Sequence, residues 1–313
     1  MEIAVTGASG FVGGAVCRAA VARGWTVRAY GRRPAVPAAH LGGAEYRAWD
    51  LAGAYPGVPP EVDAVVHCAG GVADWGPPRE IWAGNLDGTR TARQTFPRAR
   101  FVHVSTASVY DPFRPTVMAR EVEAPVTRYL NAYGASKASA ENLVRGDAVI
   151  LRPHAIYGPG DTTLLPRLRR SIRGRRMYAV GDGSQPISLT HIDNLVDACL
   201  LAAEYEGIGV FNVTDAEPVL LDDALRGVLA ELGSPARPYY LPARPALLLA
   251  TLAEDVFRLA RRADGPQLTR YAVSHLAVER TLDISAGRKM LGLEPKATSF
   301  AGIAGPVAVP GKG

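Results

Sequence analysis

The chain has 313 residues, 48% of them hydrophobic, and a net charge of +5 from 35 basic and 30 acidic groups, which suits a soluble globular protein with one large core or two moderate ones. Its three cysteines, Cys17, Cys68 and Cys199, are odd in number and far apart, which excludes a disulfide framework and a zinc site and predicts reduced thiols and no metal. The leucine-rich apolar run "PALLLATLA" at 245–253 falls short of the roughly 20 residues of a membrane span, and arginine-heavy codon usage accounts for the positive charge without nucleic acid.

In chain order, "EIAVT" (2–6) reads as a buried strand leading through "GASGFVGG" into a helix at 11–23. Gly7, Gly10 and Gly13 in that turn permit a tight bend, close backbone approach and close helix packing, so the loop predicts a dinucleotide pyrophosphate at a helix N-terminus. The second strand, "TVRAYG" (26–31), is followed by Arg32 and Arg33 where an NAD-preferring site commonly places a carboxylate. Two guanidiniums able to grip a 2′-phosphate favour NADP(H), with NAD(H) as second choice. Strands follow at 44–49, 63–69 and 100–106, with a helix at 79–96. Asp50 and Leu51 after the third strand are placed at the adenine, and Ala69, Gly70 and Gly71 after the fourth at pyrophosphate and ribose. The alternation predicts an α/β fold with a doubly wound parallel sheet.

The fifth strand ends in hydroxyls at Ser105, Thr106 and Ser108, where parallel strands face their ligand crevice. The helix at 131–145 carries Tyr133 and Lys137 four residues apart on one face, and Lys137 is the first of only four lysines in an arginine-rich chain. A free phenol, with a pKa of about 10, shuttles protons poorly near neutrality, and an adjacent ammonium favours the phenolate. Lysine is also a compact donor for ribose hydroxyls. After the strand at 148–153 the pattern loosens into turn clusters around a basic helix, "PRLRRSIRGRR" (166–176), read as a solvated face or a site for anionic groups. Residues 1–160 are expected to form the dinucleotide-binding domain, with 187–216 returning to it, and 161–186 and 217–313 a smaller, mostly helical substrate lobe. The tail "GPVAVPGKG" has little to pack against and is expected to be mobile. The N-terminus shows no secretory pattern, so a cytoplasmic setting is expected.

These pieces resemble the extended short-chain dehydrogenase/reductase family, within the NAD-dependent epimerase/dehydratase superfamily. "TGASGFVGG", "DL", "HCAG", "NLDGT", "VSTASVY", "YGASK", "LRPHAIYGPGD", "THIDNLVDA" and "FNVTDAEP" occur in family order over most of residues 1–220. The resemblance implies that Tyr133 exchanges the proton, that Lys137 orients the nicotinamide ribose and lowers the tyrosine pKa, and that Thr106, or secondly Ser105, holds the substrate oxygen. Ser108 joins these as a substrate contact. It further implies a catalytic role for Asn85, dinucleotide contacts from Gly7, Gly10, Phe11 and Val12, a place beside the nicotinamide for Pro153 and His154, and a homodimer through the helices at 79–96 and 131–145. Ile187 stands where sugar-nucleotide members usually carry an arginine, and the C-terminal lobe is similar to the 3β-hydroxysteroid-dehydrogenase-like branch. The expectation is an NADP(H)-dependent ketone reductase or alcohol dehydrogenase acting on a largely apolar molecule, steroid-like, polyketide or fatty β-keto, with the apolar helix near 245 walling its pocket. A sugar-nucleotide epimerase or dehydratase that uses the 166–176 arginines, and a non-enzymatic dinucleotide sensor, are the rivals.

Overall fold

The computed structural model describes residues 1–71, 75–260, 262 and 265–304, so the tail expected to be mobile lies outside the described residues. The strands in chain order are β1 (Glu2–Thr6), β2 (Thr26–Gly31), β3 (Glu45–Ala48), β4 (Ala64–His67), β5 (Arg100–Val104), β6 (Thr116–Ala119), β7 (Ala148–Pro153) and β8 (Ile156–Tyr157). They continue with β9 (Ile172–Arg173), β10 (Arg176–Val180), β11 (Pro186–Ile187), β12 (Thr190–His191), β13 (Gly209–Val213), β14 (Val219–Leu220), β15 (Arg237–Leu241) and β16 (Arg280–Leu282). The α-helices are α1 (Phe11–Ala22), α2 (Ala38–Leu41), α3 (Pro78–Trp82), α4 (Gly88–Thr95), α5 (Ala132–Val144), α6 (Leu164–Ser171), α7 (Ile192–Glu204), α8 (Leu221–Glu231), α9 (Ala243–Leu259) and α10 (Arg270–Leu276).

Seven strands form one parallel sheet in the order β13-β7-β5-β4-β1-β2-β3. Its strands read as unbroken Val, Ile and Ala runs because both faces are covered. Ile3, Val5, Val66 and Val102 point to the side of α1 and α7, where they meet Val16, Leu195 and Cys199. Ala4, Val65 and Phe101 point the other way and meet Ala92 of α4 and Val144 of α5. Each such Val, Leu, Ile or Phe contributes about 1.5–3 kcal/mol on burial. The chain runs outward from β1 through β2 to β3, then from β4 the opposite way, so the ends of β1 and β4 open the crevice in which such sheets bind ligands.

Several sequence expectations are corrected in detail. The strands expected over 44–49, 63–69 and 100–106 end at Ala48, His67 and Val104, releasing their last residues into crevice loops. The single helix expected over 79–96 is α3 and α4 joined by a π-helical turn, Ala83–Asp87, with Gly84 inside it and Gly88 following. The basic helix expected at 166–176 ends at Ser171; Gly174, at φ +57°, turns the chain so that β9 and β10 pair antiparallel. The lobe also holds sheets of order β15-β10-β9 and β14-β11-β16-β6, the latter including a strand from the chain's first half that the sequence did not suggest. Ile187 pairs inside that lobe sheet, whereas α7 and β13 rejoin the main sheet, β13 lying parallel to β7.

Candidate active site

The glycine loop closes the end of β1. Gly7 has φ +72°, and a Cβ there would lie 2.6 Å from the Ala69 nitrogen; one on Gly13 would lie 2.3 Å from the Gly7 carbonyl oxygen. Gly10 donates its N–H to Gly7 at 2.9 Å and begins α1 with no side-chain cap and no acidic residue in the first turn. Phe11 and Val12 open the helix half-buried, and Ala69, Gly70 and Gly71 border it from β4. A bare backbone with unpaired helix N–H groups fits a dinucleotide pyrophosphate. Arg32 and Arg33 are both exposed past β2, and Tyr46 fixes their loop by donating to the Arg33 carbonyl at 2.6 Å. Asp50 is exposed and accepts the Ala52 N–H at 3.0 Å, while Leu51 packs toward Gly88. The sequence reading missed His40, whose Nε2 lies 3.1 Å and 3.2 Å from the Ala8 and Gly10 carbonyl oxygens. It sits where a Cβ on Gly14 would be, so the doubled glycine at 13–14 was its only signal.

Helix α5 starts at Asn131, whose side chain accepts the Gly134 N–H at 3.1 Å. Tyr133, Lys137 and Glu141 follow at successive four-residue steps, all buried. Glu141 forms a two-pronged ion pair with fully buried Arg152 of β7, at 2.7 Å and 2.9 Å. Ser105 donates to the same carboxylate at 2.6 Å, which corrects its assignment to substrate, because its hydroxyl is committed to the ion pair that anchors α5. Lys137 donates from Nζ to the Val104 carbonyl at 2.6 Å. Asn85 accepts the Gly71 N–H at 2.8 Å and donates to the Ser136 hydroxyl at 2.9 Å. It ties the loop after β4 to α5.

Burial pushes the Tyr133 phenol up, and its hydrogen bond with the Thr106 hydroxyl pulls it back. One of the three Lys137 N–H donors goes to Val104, which leaves two for other partners, and the shift of the Tyr133 phenol comes from burial and Thr106. Burial lowers Lys137 itself to about 8, opposed by Glu141. His67 and His103 stack beside it with ring centroids 5.5 Å apart, and burial, reinforced by Lys137, holds both neutral, His67 at about 3.

Beside these residues lies a cavity bordered by Ser108, Asn131, Gly134, His154, Tyr271 and His275. A line of hydroxyls leads to it: Thr106 donates to Ser108 at 3.1 Å, and Ser108 lies 2.6 Å from the Tyr271 hydroxyl. The Tyr271 and Tyr133 rings meet edge to face at 6.5 Å. Pro153 ends β7, and His154 turns toward the lobe. His154 donates from Nδ1 to the Ser188 carbonyl at 2.7 Å, so its Nε2 accepts from His275 Nδ1 at 3.2 Å. Its side chain borders the cavity, and burial holds it neutral, at about 4. Arg280 clamps α10 by donating to the carbonyls of Asp111, Pro112, Arg114 and Ser274. Tyr271 and His275 were not singled out in the sequence; their four-residue spacing on α10, matching that of Tyr133 and Lys137, was the available signal. Residues from α9 and from 166–176 do not border the cavity, and Ile187 is buried in the lobe core.

The profile of the NAD dependent epimerase/dehydratase family matches residues 3–214. A 2-alkyl-3-oxoalkanoate reductase of Stenotrophomonas maltophilia is 31% identical over 97% of this chain and 97% of its own. A 4-hydroxy-2-methyl-3-oxo-4-farnesyl-3,4-dihydroquinoline-1-oxide ketoreductase of Stigmatella aurantiaca is 33% identical over 97% of this chain and 95% of its own. Among solved structures, a UDP-glucuronic acid 4-epimerase from Bacillus cereus in complex with NAD has a TM-score of 0.70 at 21% identity, covering 97% of this chain and 94% of that one, a likeness of fold.

Proposed function

The chain belongs to the NAD-dependent epimerase/dehydratase family, and we propose that within it the protein is a cytoplasmic, NADP(H)-dependent ketone reductase, or in reverse a secondary-alcohol dehydrogenase, of a largely apolar small molecule. The observation that carries this reading is a buried Tyr133 whose phenol interacts with the Thr106 hydroxyl, with a buried Lys137 one helical turn further on. Two relatives named as reductases of ketones on alkyl- or farnesyl-bearing molecules support the substrate class, a fatty β-keto compound first among the candidates. A dimer through α4 and α5 is part of the same proposal.

The glycine loop, Ala69, Gly70 and Gly71 would hold a nicotinamide dinucleotide, which would supply the hydride. The chain's residues do the rest. Thr106 and Tyr133 hold the ketone oxygen between two hydroxyls, and Tyr133, kept protonated by burial at neutral pH, gives that oxygen its proton. Lys137, still an ammonium at pH 7, hydrogen-bonds ribose hydroxyls and offsets charge left on Tyr133.

The deciding experiment follows reduced-nicotinamide absorbance over a panel of β-keto esters, steroid ketones and sugar nucleotides with NADPH and NADH in parallel. Net oxidation of NADPH by the apolar ketones supports the reading; silence with every ketone and conversion of a sugar nucleotide without net oxidation rejects it. Joint replacement Arg32→Ala and Arg33→Ala is expected to raise KM for NADPH about tenfold or more while leaving that for NADH nearly unchanged. Equal loss for both cofactors removes the proposed 2′-phosphate contact.

A further inference from the structure

The lobe carries two surface features that the catalytic site does not use. One is the outward side of α9, where Leu248, Leu249, Leu252, Val256 and Leu259 are between 57% and 88% exposed. Their spacing puts them on one face. The inward side consists of Ala246, Ala250 and Glu254, packed toward Val180 and Val273 and, for Glu254, paired with Arg258 and Arg270. This helix turns its alanines in and its leucines out, the reverse of what burial favours in a helix that faces only water.

The other feature is the basic stretch. Arg167, Arg169, Arg170, Arg173, Arg175 and Arg176 are all exposed, with no acidic residue between Pro166 and Arg176. The two features adjoin. Arg176, Tyr178 and Val180 share one face of β10, and α9 packs on that face at Val180. Tyr178 and its β15 neighbour Tyr239 stay partly exposed, rings edge to face at 5.5 Å, with the Arg176 guanidinium 4.6 Å above Tyr239. Arg173 donates to Gln267, just ahead of α10.

We propose that this surface rests on an anionic lipid bilayer, with α9 lying in the interface plane. An aliphatic face bordered by tyrosine and arginine is the chemistry that partitions between headgroups and acyl chains. Among the described residues no helix is long and apolar enough to cross a membrane, so α9 lies on the bilayer instead of spanning it. Charge complementarity selects the occupant. The arginine rim matches phosphate headgroups, whereas a second copy of the chain would set positive charge against positive charge, with Asp255 on this helix already paired to Arg258. Helix α10, which carries Tyr271 and His275, packs against α9 through Val273 and the Arg270–Glu254 pair, so docking brings the lobe side of the cavity to the lipid. The inference concerns a surface and stands apart from the reductase reading.

The test is cosedimentation of the full chain with vesicles of mixed phosphatidylglycerol and phosphatidylcholine and with phosphatidylcholine alone. Wild type is expected to pellet with the mixed vesicles, to be released by salt, and to stay in solution with phosphatidylcholine alone. Leu248→Asp combined with Leu252→Asp should weaken partitioning about tenfold or more, and Arg169→Glu combined with Arg173→Glu should weaken it and flatten its salt dependence. Unchanged melting temperature and dinucleotide binding in both variants show that the fold is intact. Failure to pellet at any lipid concentration, or pelleting indifferent to both variants, overturns the proposal. So does a dimer seen by sedimentation equilibrium that the leucine variant dissociates in a chain that ignores vesicles, which would give the face to a second copy.

Discussion

Tyr133→Phe is expected to lower kcat for ketone reduction by roughly 100- to 10,000-fold while leaving the dissociation constant for NADPH within about twofold. The substitution removes the one phenolic hydroxyl that is hydrogen-bonded to Thr106 and keeps the ring, which packs edge to face on Tyr271. The dinucleotide cradle is built from the glycine loop and the backbone after β4, so binding and turnover separate. Direction matters as well. Burial raises the Tyr133 phenol, so reduction, which needs the protonated form, should hold steady through neutrality and decline above about 8 as Lys137 loses its charge. Oxidation of the alcohol, which needs the phenolate, should instead accelerate with rising pH. Stopped-flow single turnovers isolate the chemical step, and wild-type single-turnover rates in the phenylalanine variant would end the assignment of Tyr133 as the acid.

The parts of this site that the sequence revealed are the local ones. Gly7 and Gly13 must be glycine because neighbouring backbone leaves no room for a Cβ, and that requirement shows as a short glycine-rich stretch of sequence. Tyr133 and Lys137 share a face because a helix has a fixed period, whatever else the chain does. Ser105 shows where local reading stops: a hydroxyl at a strand end looks the same whether it meets substrate or Glu141, and only the fold brings Glu141 and Arg152 beneath it. The lobe sheet was invisible for a similar reason, since Thr116 finds its partner at Arg280 across half of the chain. Helix α9 was recognised as apolar, but which of its sides packs inward was not legible. Periodicity alone cannot tell which of two nonpolar stripes, alanine or leucine, will meet Val180 and Val273.

Lys137→Met is expected to cut turnover about 100-fold or more and yet to make the protein more stable at pH 7. The fold lowers this ammonium from its ordinary 10.5 to about 8, chiefly through burial, so the buried charge costs about 3 kcal/mol at neutral pH. Between those two values the unfolded chain binds more protons than the folded one, and this residue's contribution to stability therefore rises with pH across the window. Methionine removes the cost but leaves the Val104 carbonyl without its donor, a loss of about 1–2 kcal/mol, for a net gain of about 1–2 kcal/mol at pH 7. As pH climbs past 8 the wild-type lysine sheds its charge, and by about 10 the advantage of the variant should vanish or reverse. Urea titrations of both proteins at pH 7 and pH 9.5 measure the difference. Lys137→Arg is the companion, because a guanidinium stays charged throughout this range and its stability deficit should persist where the wild type recovers. Parallel stability curves for lysine and methionine would show that the lysine is not a buried charge, and full activity in the arginine variant would show that a compact ammonium is not what the site requires.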